Sequence, residues 1–178
     1  MGNFKEEIAG IRAFAFDVDG VFTTGEITVF PNGDFIRTYN AKDGYSVALA
    51  LRRGYRVAII SGGCGKTLET RFRMLNVTAI YTQVHDKIEV LKEFMAEHGL
   101  ERSEVLYMGD DLPDIEAMRY CGLAVAPADA VPEVIEAAHY VSRFDGGRGC
   151  VRDTIEQVMR ARGDWGHEKG FNVLPVRV

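Results

Sequence analysis

Ile11-Arg-Ala-Phe-Ala-Phe-Asp17-Val-Asp19-Gly20 decides the fold of this chain. Apolar residues dominate the run through Phe16, the pattern of a strand, and the run breaks at two carboxylates and a glycine. This places Asp17 and Asp19 at the carboxyl end of a first strand, where open α/β sheets seat their ligands. Two like charges about 4 Å apart repel by roughly 4 kcal/mol at an effective dielectric of 20, so the pair needs a shared proton or a cation.

Working outward, Glu26-Ile-Thr-Val-Phe30 and Phe35-Ile-Arg-Thr-Tyr39 flank the turn Pro31-Asn-Gly-Asp34 and predict a hairpin over about 26–39. Asp43 is expected to cap a helix carrying Val47, Leu49 and Leu51 that stops at Gly54. A strand Tyr55–Ile60 then ends at Ser61-Gly62-Gly63, and a helical stretch runs from Cys64 to Leu75 with Lys66, Arg71 and Arg73 on it. Ala79–Tyr81 reads as a short strand, about 86–98 as a helix, and Val105–Met108 as a strand ending in Gly109-Asp110-Asp111-Leu-Pro113-Asp114. Pro113 suits the first turn of the next helix, capped near Asp111 or Leu112. A strand Leu123–Ala126, a helix from Pro132, a short strand near Tyr140 and a last helix with Val151, Ile155, Val158 and Met159 on one face complete the pattern.

This alternation predicts a single α/β domain over 1–178, Rossmann-like, with a central, mostly parallel sheet flanked by helices, right-handed crossovers and a projecting β-hairpin. Residues from about 163 to 178 form a tail without clear periodicity. The chain has 178 residues, 47% hydrophobic and 26% charged, enough for one real core. Its 21 Lys and Arg against 26 Asp and Glu give −5, which argues against nucleic acid or an anionic membrane as partner. Three dispersed cysteines, Cys64, Cys121 and Cys150, indicate neither a disulfide framework nor a zinc knuckle. The first residues lack a signal-peptide core, and no apolar stretch approaches 18 residues, so a soluble, cytoplasmic protein is expected.

Three strand ends now carry polar clusters: Asp17/Asp19, Ser61/Gly62 and Asp110/Asp111/Asp114. A parallel sheet brings such ends to one edge, and Lys87, just inside a helix, is placed to join them. Three or more carboxylates without histidine ligands make a hard oxygen site, which favours Mg²⁺ over zinc or copper. His85, His98, His139 and His167 show no ligand spacing.

D-x-D-G-V after a strand, Ser-Gly after the next long strand, a lysine, then G-D-D-x-x-D after a later strand together resemble the haloacid dehalogenase superfamily of phosphotransferases, over nearly the whole chain. The resemblance implies that Asp17 is a nucleophile taking the phosphoryl group as an aspartyl-phosphate, and Asp19 a general acid and then base. It implies Mg²⁺ held by the Asp17 carboxylate, the backbone carbonyl of Asp19 and the Asp110 carboxylate, with Asp111 and Asp114 ordering the outer shell. Ser61 and the Gly62 amide would take phosphate oxygens, and Lys87 would neutralise charge beside Asp17.

Neither gap that normally holds a cap domain is long enough for one here, so a neighbouring subunit is expected to close the site. Asn40-Ala41-Lys42-Asp43-Gly44-Tyr45, Arg71, Gly109-Asp110-Asp111 and Gly146-Gly147-Arg148-Gly149 with Val151-Arg152 resemble the capless 3-deoxy-D-manno-octulosonate 8-phosphate phosphatase family. That resemblance implies a homotetramer whose hairpin and tail cover a neighbour's site, and a phosphorylated 2-keto-3-deoxy sugar acid as substrate, in lipopolysaccharide precursor synthesis. Ala41, Lys42, Asp43, Gly44, Tyr45, Gly62, Gly63, Arg71, Asp19 and Lys87 match positions that contact substrate there.

Gly63 departs from the pattern. Many members carry arginine after Thr-Gly, and losing that guanidinium removes a bidentate anion contact. The related nonulosonate 9-phosphate phosphatases tend to place glutamate there, which Gly63 also does not match, so a 9-phosphate substrate stays open. Two further readings compete. A phospho-accepting receiver domain shares clustered aspartates but has no counterpart of Asp19, and a non-catalytic phosphatase-like module would not need the whole set Asp17, Asp19, Ser61, Lys87 and Asp110.

Overall fold

The structure, a computed structural model, describes residues 8–33 and 35–166. Its elements run β1 (Ala13–Phe16), β2 (Thr28–Val29), β3 (Phe35–Ile36), α1 (Ala41–Arg52), β4 (Arg56–Ile60), α2 (Lys66–Met74) and β5 (Ala79–Tyr81). They continue through α3 (Lys87–His98), β6 (Val105–Met108), α4 (Ile115–Tyr120), β7 (Leu123–Ala126), α5 (Pro132–Ala137), β8 (Tyr140–Val141) and α6 (Cys150–Ala161). Six strands form one sheet in the order β5-β4-β1-β6-β7-β8, each neighbouring pair parallel.

Strands buried on both faces need no polar side, which is why β1, β6 and β7 read as unbroken apolar runs. Alternation along β1 still sorts the two layers. Phe14 and Phe16 enter a core with Val47, Leu49, Leu68 and Phe72 under α1, α2 and α6, whereas Ala13 and Ala15 face Leu91, Phe94 and Met118 under α3 and α4. The chain builds outward from β1 to β4 and β5, then returns to build β6, β7 and β8 on the other side. The reversal leaves a crevice at the carboxyl end of β1.

Two expectations change. The hairpin is antiparallel, with Thr28 opposite Ile36 and Val29 opposite Phe35, but its ladder is far shorter than 26–39. An isolated two-stranded ribbon has no layer of its own to pack on, and Ile27, Val29, Phe30 and Ile36 stay exposed. The cap of α1 is Asn40, not Asp43: the Asn40 side chain accepts from the Lys42 amide at 2.9 Å. Asp43 lies inside the first turn, buried, where one oxygen accepts from the Arg152 amide of α6 at 2.8 Å.

All three cysteines are free, with Cys121 and Cys150 buried. Among the described residues no helix is long and apolar enough to cross a membrane. Trp165 packs on the core with Arg152 and Arg160 against its ring, while most of the expected tail, with His167, lies outside the described residues.

Candidate active site

Asp17 is the first residue past β1, and its amide donates to the Met108 carbonyl of β6 at 3.0 Å, so the sheet ladder itself fixes where the carboxylate stands. The chain then turns sharply, with the amides of Val21, Phe22 and Thr23 all directed at the Val18 carbonyl. Gly20 makes that turn possible on two counts. Its φ is +87°, and a Cβ there would collide with the Asp110 carboxylate.

Lys87 opens α3, held by Asp86 as cap, whose side chain accepts from the Glu89 amide at 3.3 Å. A buried ammonium at a helix N-terminus is doubly unfavourable, and two carboxylates offset this. Lys87 Nζ lies 3.0 Å from Asp17 Oδ1 and 2.7 Å from Asp114 Oδ1. Asp114 Oδ1 also accepts from the Tyr107 hydroxyl at 2.8 Å, and Oδ2 accepts from the amides of Asp110 and Asp111 at 3.2 and 3.4 Å. Asp111 caps the turn Leu112–Asp114 by accepting from the Leu112 amide at 2.8 Å. Asp114 is thus saturated and orders the loop that carries Asp110.

Asp110 is different. Among the described residues its buried Oδ1 has no hydrogen-bond partner, and ligand atoms of Asp17, Asp110 and Asp114 lie within 4.8 Å of one another. Three carboxylates face one ammonium. Burial, then the Asp114 charge, push the Asp17 carboxyl up to about 7 against the pull of Lys87. Burial, with Asp17 and Asp114, pushes Asp110 up to about 8. Lys87 is raised, because the two carboxylates outweigh its burial. An unpartnered buried oxygen in an all-oxygen donor set fits a hard divalent cation, which would let both acids stay ionised.

Ser61 follows β4 and is buried, its amide donating to the Tyr81 carbonyl at 2.9 Å and its hydroxyl accepting from the Gly63 amide at 3.1 Å. Gly62 is exposed. A Cβ built on Gly63 would meet Arg37 Nη2 at 2.8 Å, Asp19 Oδ2 at 3.1 Å and Ser61 Oγ at 3.3 Å, so these three side chains surround it. Sequence reasoning missed Arg37. Its Nε donates to Asp19 Oδ1 at 2.7 Å and its Nη2 to Asp19 Oδ2 at 2.9 Å. A cation on a hairpin strand looks like a solvated side chain, and the one available signal was the missing guanidinium at Gly63.

The other expected substrate contacts group elsewhere. Arg71 of α2 nests against Gly44, where a Cβ would strike it, and its guanidinium lies 5.7 Å from the Tyr39 ring centroid. Ala41 and Lys42 are exposed at the start of α1, and Tyr45 is half-buried against the core. Gly146 and Gly147 dock on the loop after β1, the Gly147 amide donating to the Val21 carbonyl at 2.9 Å, while Arg148 stays exposed.

A parallel sheet with acids at the ends of β1 and β6, a buried lysine from α3 and a hydroxyl at the end of β4 defines the class of haloacid dehalogenase-like hydrolases, whose family profile matches residues 58–150. The curated 3-deoxy-D-manno-octulosonate 8-phosphate phosphatase of Yersinia pestis is 38% identical over 157 residues, 88% of this chain and 84% of that protein. A crystal structure of the Yersinia pestis phosphatase superposes with a TM-score of 0.88 at 37% identity, covering 90% of this chain and 86% of that one. The Moraxella catarrhalis phosphatase, solved with a magnesium ion, a phosphate ion and a KDO molecule, gives 0.87 at 28% identity, covering 90% of this chain and 92% of that one. The chain belongs to the 3-deoxy-D-manno-octulosonate 8-phosphate phosphatase family.

Proposed function

We propose that the chain is an Mg²⁺-dependent phosphatase that hydrolyses 3-deoxy-D-manno-octulosonate 8-phosphate to the free sugar acid and phosphate. One observation carries the reading: the unpartnered Asp110 oxygen sits within 4.8 Å of ligand atoms on Asp17 and Asp114, with Lys87 against Asp17. Asp17, Asp110 and the backbone carbonyl of Asp19 would hold the cation, which supplies positive charge to the transferring phosphoryl oxygens.

In this reading an Asp17 oxygen attacks phosphorus, the bond from phosphorus to the sugar oxygen breaks, and Asp19 gives its proton to the leaving oxygen. Water then attacks the aspartyl-phosphate, Asp19 takes the water's proton, and the Asp17–phosphorus bond breaks. Lys87 lowers the repulsion between Asp17 and the incoming phosphate. Ser61 and the Gly62 amide take phosphoryl oxygens, and Asp111 and Asp114 hold Asp110 in place. Residues 41–45 and Arg71 contribute to reading the sugar acid.

The whole chain acts as one domain without a cap, in a homotetramer of the cytoplasm whose sites neighbouring subunits complete. Supporting this, the hairpin exposes Ile27, Val29, Phe30 and Ile36, and a groove of about 820 Å³ between the hairpin and α2 is lined by Phe30, Phe35, Tyr39, Arg71 and Met74. Gly63, which carries neither guanidinium nor carboxylate, keeps a nonulosonate 9-phosphate as the second substrate to test. Phosphate release from octulosonate 8-phosphate, nonulosonate 9-phosphate and simple sugar phosphates, compared by kcat/KM with Mg²⁺ and with EDTA, decides it. A preference for simple sugar phosphates would refute the sugar-acid assignment, and EDTA-resistant turnover would refute the cation.

A further inference from the structure

We propose that Arg37 is the positioning residue for Asp19, and that Gly63 is the space that admits it: the hairpin supplies this site with a guanidinium that the Ser61-Gly62-Gly63 turn does not carry. The inference rests on the reading of the chain as a phosphatase in which Asp19 handles the proton.

The Arg37–Asp19 pair is unlike a surface ion pair. Both oxygens of Asp19 are engaged, by Nε at 2.7 Å and Nη2 at 2.9 Å, the two-pronged geometry that fixes a carboxylate's plane as well as its place. The Arg37 side chain is only 2% exposed, so its donors are not shared with bulk water. Its remaining prong, Nη1, donates to the Cys64 carbonyl at 3.2 Å. One guanidinium therefore ties together three segments distant in sequence: the chain just past β3 of the hairpin, the loop after β1 and the loop after β4. The Thr23 hydroxyl adds a weaker hold on Asp19 Oδ1 at 3.4 Å.

Gly63 is required by space and not by its backbone. It is absent from the glycines with positive φ, yet a Cβ there would lie 2.8 Å from Arg37 Nη2 and 3.1 Å from Asp19 Oδ2. Any side chain at 63 forces the guanidinium or the carboxylate to shift. Arg37 and Gly63 are thus one device in two segments. A carboxyl group whose rotation is fixed by two hydrogen bonds presents its proton to the leaving oxygen, and its ionised form then meets the attacking water, in one geometry; proton transfer falls steeply when that geometry is lost.

The test separates proton delivery from everything else the pair does. A sugar phosphate expels its sugar as an alkoxide, which needs the proton; p-nitrophenyl phosphate expels a stabilised phenolate, which hardly needs it. The comparison uses kcat/KM, which covers only steps through the first phosphoryl transfer, with the full-length chain and Mg²⁺. Arg37→Ala is expected to lower kcat/KM for the sugar phosphate by about 10²-fold and for the aryl phosphate by less than about threefold. Gly63→Ala, which removes no side chain and acts by displacing the Arg37–Asp19 pair, is expected to give the same split even if Arg37→Ala folds poorly. The double variant should be no worse than the weaker single one, because both break the same contact. Arg37→Lys, able to make one of the two hydrogen bonds, should recover part of the loss.

Equal losses on both esters, or additive losses in the double variant, would overturn the proposal and leave Arg37 as a strut for the hairpin. Failure of the unaltered protein to release phosphate from either ester would instead refute the phosphatase reading beneath it.

Discussion

The ammonium of Lys87 lies 2.7 Å from the carboxylate of Asp114, 27 residues on, with the lysine side chain 7% exposed and the aspartate fully buried. Removing the ammonium leaves two buried carboxylates, Asp17 and Asp114, without their shared cation. Lys87→Ala is expected to destabilise the fold by about 3–5 kcal/mol, the usual result of breaking a buried pair, and to remove activity with it. Urea denaturation with and without the substitution checks this. A loss under about 1 kcal/mol would mean that water replaces the ammonium at low cost.

Asp17→Asn should abolish turnover, since a neutral amide cannot attack phosphorus to form the acyl phosphate. Asp19→Asn should reduce it by roughly 10²- to 10⁴-fold, the range for a lost acid–base group. Rapid acid quench with labelled substrate should trap phosphate on the unaltered chain and none on Asp17→Asn. Near-normal turnover in Asp17→Asn would contradict the covalent route.

Asp110 stands among like charges with a bare buried oxygen, so without a cation it opposes folding. In EDTA, Asp110→Asn should melt at a higher temperature than the unaltered chain, although it is inactive. Added Mg²⁺ should raise the melting temperature of the unaltered chain and leave that of Asp110→Asn in place. Equal stabilisation of both by Mg²⁺ would move the cation away from Asp110.

How far this site was readable from residues alone follows from the range of each interaction. Asp17, Ser61 and Asp110 sit where strands end, and strand ends are written locally by apolar runs meeting glycine and acid. The Asn40 cap was misassigned to Asp43 because both residues are caps by type, and only the packing of α6 on α1 decides which one is buried. The hairpin ladder was overestimated because alternation marks strand propensity and not the second layer that would extend pairing. Arg37 and Asp19, 18 residues apart on unrelated elements, meet only after the hairpin folds back over Gly63.

The exposed apolar hairpin gives a fourth expectation. Ile36 is 49% exposed, at the edge of the groove between the hairpin and α2. Ile36→Glu should leave the monomer folded by circular dichroism while shifting sedimentation from an assembly to a single chain, with loss of activity. An unchanged sedimentation coefficient would remove the hairpin from the interface.

Asp43 supplies a pH dependence of known sign. One oxygen accepts from the Arg152 amide, and the other is buried without a partner among the described residues. Burial pushes its carboxyl from 3.8 up to about 6, although the amides of Arg152 and Gly149 pull the other way. Between those values the folded chain holds a proton that the unfolded chain has released. The contribution of Asp43 to stability is therefore full below about 4 and lost as pH rises through about 6, a change on the order of 3 kcal/mol. Asp43→Asn cannot titrate, so its stability relative to the unaltered chain should improve by that amount between pH 4 and pH 7. Denaturant midpoints measured across that window test it, and a difference that stays constant with pH would mean that the helix α6 amides hold Asp43 ionised throughout.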